Sequence, residues 1–153
     1  MIRRATRDDV PSIVGLLFDD DIGARRESPS SGAGLAPEYR HAFDSIDGNP
    51  NELLLVASIR DEIVGTLQLT FLHHLSHRGA IRAQIEAVRV ASSRRGAGIG
   101  HQLVQWALAR ARERGAKFAQ LSTDKTRVDA HRFYETLGFH ATHEGMKLPL
   151  DDR

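Results

Sequence analysis

The stretch Val88-Arg89-Val90-Ala91-Ser92-Ser93-Arg94-Arg95-Gly96-Ala97-Gly98-Ile99-Gly100-His101-Gln102-Leu103 decides the fold. It passes from an apolar strand through a basic, glycine-rich turn into an amphipathic helix. Three glycines at alternate positions, Gly96, Gly98 and Gly100, let backbone N–H groups approach an anion that side chains would block. The helix N-terminus adds partial positive charge, and Arg94 and Arg95 add full charges. The pattern predicts a pyrophosphate cradle. It lacks the Lys-Ser/Thr ending of a P-loop, and its Gly-x-Gly-x-Gly spacing is not the dinucleotide fingerprint.

Working outward, 153 residues with 41% hydrophobic content make one ordinary domain with a real core. Lys and Arg total 21 against 20 Asp and Glu, a formal charge of +1, so no global field draws the chain to nucleic acid or an anionic membrane. The absence of cysteine excludes disulfides, thiolate metal sites and a cysteine nucleophile. The start has no apolar leader, and no run of about eighteen apolar residues occurs, which predicts a soluble, cytoplasmic protein.

Ile2 to Thr6 reads as a short strand, and Asp8-Asp9-Val10-Pro11 opens a helix that turns Ile13, Leu16 and Leu17 inward. Residues 28 to 37 form a Ser/Gly/Pro loop, followed by a helix from Glu38 to Ile46. Leu53 to Ile59 and Ile63 to Phe71 are strands of a hairpin, and Ile81 to Val90 is the next strand. A helix over Gly98 to Arg114 directs Ile99, Leu103, Trp106, Ala107 and Ala111 to one side, with Gly115 ending it. Phe118 to Ser122 is a strand and Val128 to Leu137 a helix; Phe139 to Thr142 and Met146 to Leu150 read as closing strands.

Two blocks carry a resemblance. Arg95-Gly96-Ala97-Gly98-Ile99-Gly100 resembles the Arg/Gln-x-x-Gly-x-Gly/Ala signature of the GNAT superfamily of acetyl-CoA-dependent acetyltransferases. Ala130-His131-Arg132-Phe133-Tyr134, continuing to Gly138-Phe139, is similar to the segment that follows the fifth strand there. The element order matches too. Within the superfamily, Phe71-Leu72-His73-His74, Leu121-Ser122-Thr123 and Asp129 to Tyr134 resemble the bacterial aminoalkylphosphonate N-acetyltransferase type; the first forty residues do not. The resemblance implies an α/β (α+β) fold in one domain over residues 1–153. Its mixed, mostly antiparallel twisted sheet would have six to seven strands, flanked by about four helices.

It also implies roles. Acetyl-CoA would bind at Arg95, Gly96, Ala97, Gly98, Ile99, Gly100 and His101, with backbone groups of Val88, Arg89 and Val90 on the pantetheine arm and acetyl oxygen. Tyr134 stands where the family places a tyrosine that protonates the departing thiolate; the alternative is a structural tyrosine. Strand alternation puts Glu86, Val88 and Val90 on one face, so Glu86 is expected among apolar side chains as a base, or else as an edge carboxylate paired with Arg82 or Arg89.

His73, His74 and His77 lie on a connection where an acceptor would enter, with solvated loop, substrate contact or metal as the readings and no metal the preferred expectation. Asp19, Asp20 and Asp21 oppose the dipole of the first helix and read either as a solvated face or, since the resemblance implies that this segment covers the acceptor site, as a pull on a cationic amine; Arg25 and Arg26 would instead hold an acidic group. Arg127 replaces the asparagine that many members carry ahead of the Phe-Tyr pair. Together these features predict transfer of an acetyl group to a primary amine of a small molecule by direct attack, in a homodimer with no nucleic-acid or membrane partner. A protein acetyltransferase and a non-catalytic acetyl-CoA-binding module are the alternatives.

Overall fold

A computed structural model describes residues 1–19, 22–27 and 34–151, with Arg25 and Arg26 described by their backbone. The chain divides into two compact units, Met1–Gln120 and Leu121–Arg153.

The first unit is built on strands β1 (Ile2–Arg4), β2 (Glu52–Ile59), β3 (Glu62–His73), β4 (Ile81–Val90) and β5 (Phe118–Leu121), in the order β1-β2-β3-β4-β5. The first three pairings are antiparallel. Arg60 and Asp61, both at positive φ (49° and 67°), form the two-residue loop joining β2 to β3. Such a loop matches the right-handed twist of the strands it connects.

Helices cover both faces. On one side α1 (Val10–Phe18) and α3 (Pro37–Asp47) bury Val10, Ile13, Val14 and Phe43 against Ala5 and Val56. The short α2 (Gly23–Arg26) lies between them in sequence. On the other side α4 (Ile99–Glu113) presses Ile99 and Leu103 towards Gly65. Leu55, Leu67, Leu69, Ile85 and Leu103 are completely or almost completely buried there, each contributing about 1.5–3 kcal/mol relative to exposure. Gly65 permits the close approach: a Cβ at that position would sit 2.9 Å from Leu103 Cδ1 and 3.1 Å from Ile99 Cγ2.

Before α1, Asp9 is buried and held by both ends of the Arg3 guanidinium at 2.7 and 3.0 Å, and it also accepts the Thr6 N–H. The Arg3 bonds hold its carboxyl at about 2, against the ordinary 3.8, in opposition to its burial.

The second unit holds α5 (Val128–Thr136), ended by Gly138 at φ 93°. Residues 139–150 form no strand, and residues 140–150 are all exposed. The expectation of six to seven strands and about four helices is therefore corrected to five strands, in a mixed sheet with three antiparallel pairings, and five helices among the described residues. Period-two alternation at Met146, Leu148 and Leu150 is a strand pattern only when a neighbouring edge supplies hydrogen bonds. Ser76–Gly79 is not a helix either, because His77 and Arg78 are left-handed (φ 52° and 60°). No helix among the described residues is long and apolar enough to cross a membrane.

Candidate functional site

Strand β4 is irregular where the sequence placed the cofactor strand. Thr66 pairs with Arg89 and Gln68 with Glu86, so Leu67 alone opposes both Ala87 and Val88. This is a β-bulge, and Ala87 takes φ 53° to make it. A non-glycine residue in that region costs about 1–2 kcal/mol, and a bulged residue leaves its ladder position unpaired. The ladder is thus interrupted at Ala87 and Val88, the second of them a position expected to meet a ligand, and pairing resumes at Arg89.

The bulge also shifts the parity of the strand. Glu86 shares its face with Gln68, and past the bulge that face passes to Arg89, while Val90 falls opposite Gly65 on the α4 side. The expectation that Glu86, Val88 and Val90 share one apolar face is therefore corrected. Glu86 is exposed, on the α1 and α3 side of the sheet. The apolar surround on which its role as a base was argued is absent. Val88 and Arg89 are half-buried, and one Arg89 Nη1 donates to the Val88 carbonyl at 2.9 Å.

Beyond β4 the basic turn leads into α4. Gly96 and Gly98 adopt φ 81° and 83°, a region in which any Cβ is strained, and Gly98 caps the helix. The first intrahelical bond runs from Gln102 N–H to the Gly98 carbonyl at 3.0 Å. The N–H groups of Ile99, Gly100 and His101 therefore have no intrahelical acceptor, the ordinary condition of a helix N-terminus and a ready anion site.

Asp19, which ends α1, is tied to this turn: its carboxylate accepts the Ser92 N–H at 3.2 Å and its carbonyl accepts from Arg95 Nη2 at 3.1 Å. Arg94 lies 3.8 Å from Glu62. A diphosphate fits the chemistry of these residues, which offer helix-start N–H groups without an intrahelical acceptor, two glycines at a φ that other residues rarely adopt, and the Arg94 and Arg95 guanidinium groups nearby.

The histidines do not act together. His73 is exposed at the end of β3, His74 Nδ1 lies 3.2 Å from the Leu72 carbonyl, and His77 packs edge-on against Phe118 at 5.1 Å. No three His, Asp or Glu among the described residues converge as metal ligands. Asp20 and Asp21 lie outside the described residues, as does the Arg25 side chain.

In the second unit, Tyr134 is half-buried, its ring edge-on to Phe133 (5.1 Å) and Phe139 (5.9 Å). Its carbonyl accepts the N–H groups of Leu137 and Phe139 at 3.0 and 3.1 Å, which closes the end of α5. The two residues expected to move protons are thus held in different units, Glu86 in the first and Tyr134 in the second.

Sequence reasoning missed three features. The Ala87 bulge has no signature, because alanine is not a residue favoured at positive φ. Gly65 was passed over as one more strand residue. A polar network on the α1 side was missed as well: Glu52 Oε2 accepts from Gln68 Nε2 at 2.9 Å and from Thr70 Oγ1 at 3.1 Å, and Gln120 Nε2 donates to Gln84 Oε1 at 2.7 Å. Projecting the polar residues of β2, β3 and β4 onto one face would have found it.

Residues 22–139 match the family model of the acetyltransferase (GNAT) family. The chain is 37% identical over 145 residues to an aminoalkylphosphonate N-acetyltransferase of Salmonella typhimurium, covering 93% of this chain and 86% of that protein. A crystal structure from Bacillus halodurans C-125, described as a transcriptional regulator, superposes with a TM-score of 0.94 at 49% identity, over 98% of this chain and 99% of that one. A predicted acetyltransferase with acetyl-CoA from Clostridium acetobutylicum shares the fold, with a TM-score of 0.75 at 20% identity over 98% and 96% of the two chains.

Proposed function

The chain belongs to the acetyltransferase (GNAT) family and is an acyltransferase; from that premise we propose that it moves the acetyl group of acetyl-CoA onto the primary amine of a small molecule that also carries an anionic group. The observation that carries this reading is the bulge at Ala87 on β4 followed by a turn in which Gly96 and Gly98 are left-handed and the helix start leaves the Ile99, Gly100 and His101 N–H groups without an intrahelical acceptor. The acceptor class rests on the similarity to the Salmonella enzyme. We read the two units as one catalytic domain over residues 1–153.

The N–H groups from Gly96 to His101 and the Arg95 guanidinium bind the diphosphate. The backbone at Val88, Arg89 and Val90, where the bulge leads back into the ladder, binds the pantetheine arm and polarises the thioester carbonyl. When bound, acetyl-CoA supplies the activated acyl group. Glu86 takes a proton from the acceptor ammonium, directly or through water. The neutral nitrogen attacks the thioester carbon, the C–N bond forms, and the C–S bond breaks. The Tyr134 hydroxyl gives its proton to the thiolate, and the proton shed by the acylated nitrogen returns through water to the Tyr134 oxygen, leaving an amide, free CoA and a neutral tyrosine. His73 and His74 at the end of β3, with Asp20 and Arg25 on the segment after α1, flank acceptor entry in this reading.

The same reading extends to a cytoplasmic protein with no nucleic-acid or membrane partner, assembled as a homodimer. Exposure of Met146, Leu148 and Leu150 at 95%, 81% and 91% supports the dimer, since an apolar run so open gains from a second copy. Light scattering in solution checks it: twice the chain mass supports the dimer and a single chain mass excludes it.

The test of the function is the pair Glu86→Gln and Tyr134→Phe. Each should lower turnover with a verified amine by 10²-fold or more, while acetyl-CoA still binds by calorimetry. Undiminished turnover in both variants removes the mechanism. Binding without turnover in the wild type favours the sensor alternative, and acetylation of peptides rather than small amines favours a protein acetyltransferase.

A further inference from the structure

On the α1 side of the sheet, apolar cover ends at Leu54 and Val56, and the neighbouring positions are polar on four adjacent strands. Strand register sets Glu52, Thr70 and Gln84 in one row and Leu54, Gln68 and Glu86 in the next. Gln120 joins the first row through its 2.7 Å bond to Gln84. Glu52, Gln68, Thr70, Gln84 and Gln120 are half-buried, neither solvated freely nor sealed in the core. A sheet needs none of these side chains to pair its strands, since the backbone does that.

The Glu52 carboxylate fixes the direction of the Gln68 amide, and the Gln84 amide turns its oxygen to Gln120. An ionised carboxylate only accepts hydrogen bonds, so Glu52 receives Gln68 Nε2 and leaves Gln68 Oε1 unspent by that bond. Gln120 donates to Gln84 Oε1, which leaves both hydrogens of Gln84 Nε2 to donate elsewhere. The result is an oxygen acceptor, Gln68, directly across the ladder from the Glu86 carboxylate, with an N–H donor, Gln84, one row along. An ammonium matches the first pair and an oxyanion matches the second.

Resting on the transfer reading above, we infer that Gln68 and Gln84 determine acceptor specificity by binding the two ends of a small aminoalkyl oxyanion beside Glu86. Glu52 is the positioning residue that sets the Gln68 amide.

The test uses the full chain, acetyl-CoA and 2-aminoethylphosphonate. Gln68→Met and Glu52→Met should each raise the acceptor KM tenfold or more, with kcat within threefold of wild type. Glu52→Gln keeps an oxygen for Gln68 Nε2 and Thr70 Oγ1, so it should stay within threefold in KM. A KM within twofold of wild type in both methionine variants overturns the inference. So does a Glu52→Gln variant as impaired as Glu52→Met, because charge rather than amide orientation would then be at work.

A measurement without turnover separates this from the wider reading: the side-chain NH₂ resonances of Gln68 and Gln84 in an amide ¹⁵N spectrum should move as 2-aminoethylphosphonate is added. If they move and no CoA is released, the transfer reading falls and the binding platform stands. If they stay while CoA is released, the platform falls and the transfer reading stands. If neither responds, both fall.

Discussion

Gly65→Ala tests how the sheet positions the cofactor turn. The new Cβ would meet Leu103 Cδ1 at 2.9 Å, Ile99 Cγ2 at 3.1 Å and Ala57 Cβ at 3.4 Å. Non-bonded carbons are comfortable at about 3.5–4.0 Å, so the nearest contact must open by roughly 0.6–1 Å. Leu103 is fully buried and Ile99 nearly so, which leaves their side chains little room to swing aside. The relief therefore comes from the first two turns of α4 moving off the sheet. Overpacking of this kind costs about 1–3 kcal/mol, and at roughly 2–4 °C per kcal/mol in a domain of this size Tm should fall by about 2–12 °C.

The same movement carries the N–H groups of Ile99, Gly100 and His101 away from a bound diphosphate. A retreat of about 0.6–1 Å takes hydrogen bonds near 2.9 Å to the edge of bonding distance, and the acetyl-CoA Kd should rise about tenfold, equivalent to about 1.4 kcal/mol. Differential scanning calorimetry and isothermal titration calorimetry on the same sample read both numbers. A variant with wild-type Tm and wild-type Kd would refute the claim that Gly65 sets the height of α4. A lowered Tm with unchanged Kd would refute the link from that height to cofactor binding.

Other expectations follow from single residues. Asp9 is held at about 2 in the folded chain against 3.8 ordinarily, so its contribution is present above pH ~4 and lost as pH falls towards 2. Allowing for the partly exposed Arg3, Asp9→Asn should cost about 1–2 kcal/mol at neutral pH and flatten the acid limb of a denaturation series between pH 5 and pH 2. At the bulge, Ala87→Gly should be tolerated within about 1 kcal/mol, because relief of positive-φ strain offsets the added freedom of the unfolded chain. Ala87→Val, β-branched at φ 53°, should lower Tm and weaken acetyl-CoA binding together, checked by the same two calorimetries. Thr66→Val removes a buried 2.8 Å bond to the Leu55 carbonyl and should cost about 0.5–1.5 kcal/mol in chemical denaturation without changing acetyl-CoA affinity.

The elements most legible in the sequence were those whose signals were local and whose partners were near. Ile81–Val90 was expected and found with those bounds, and α4 begins one residue past the expected Gly98 because that glycine is its cap. The glycine turn was legible because left-handed glycines and a helix start have a fixed chemistry. The closing strands were not: Met146, Leu148 and Leu150 alternate as a strand does, but alternation states which side is apolar and says nothing about which edge will supply the hydrogen bonds.

The face assignment of Glu86 failed for a different reason. A single residue at positive φ reverses the parity of everything after it, and Ala87 gives no compositional sign of that. The tie from Asp19 to the cofactor turn was equally hidden, since it joins residues 73 apart in sequence.

The most direct test of the central claim is release of free CoA from acetyl-CoA when 2-aminoethylphosphonate is added, followed with a thiol reagent and matched against the N-acetylated product by mass spectrometry. One CoA should be released for each amide formed, with release near background when the amine is omitted. Acetyl-CoA shown by calorimetry to be bound, yet yielding neither CoA nor amide with this or any small primary amine, would contradict the claim.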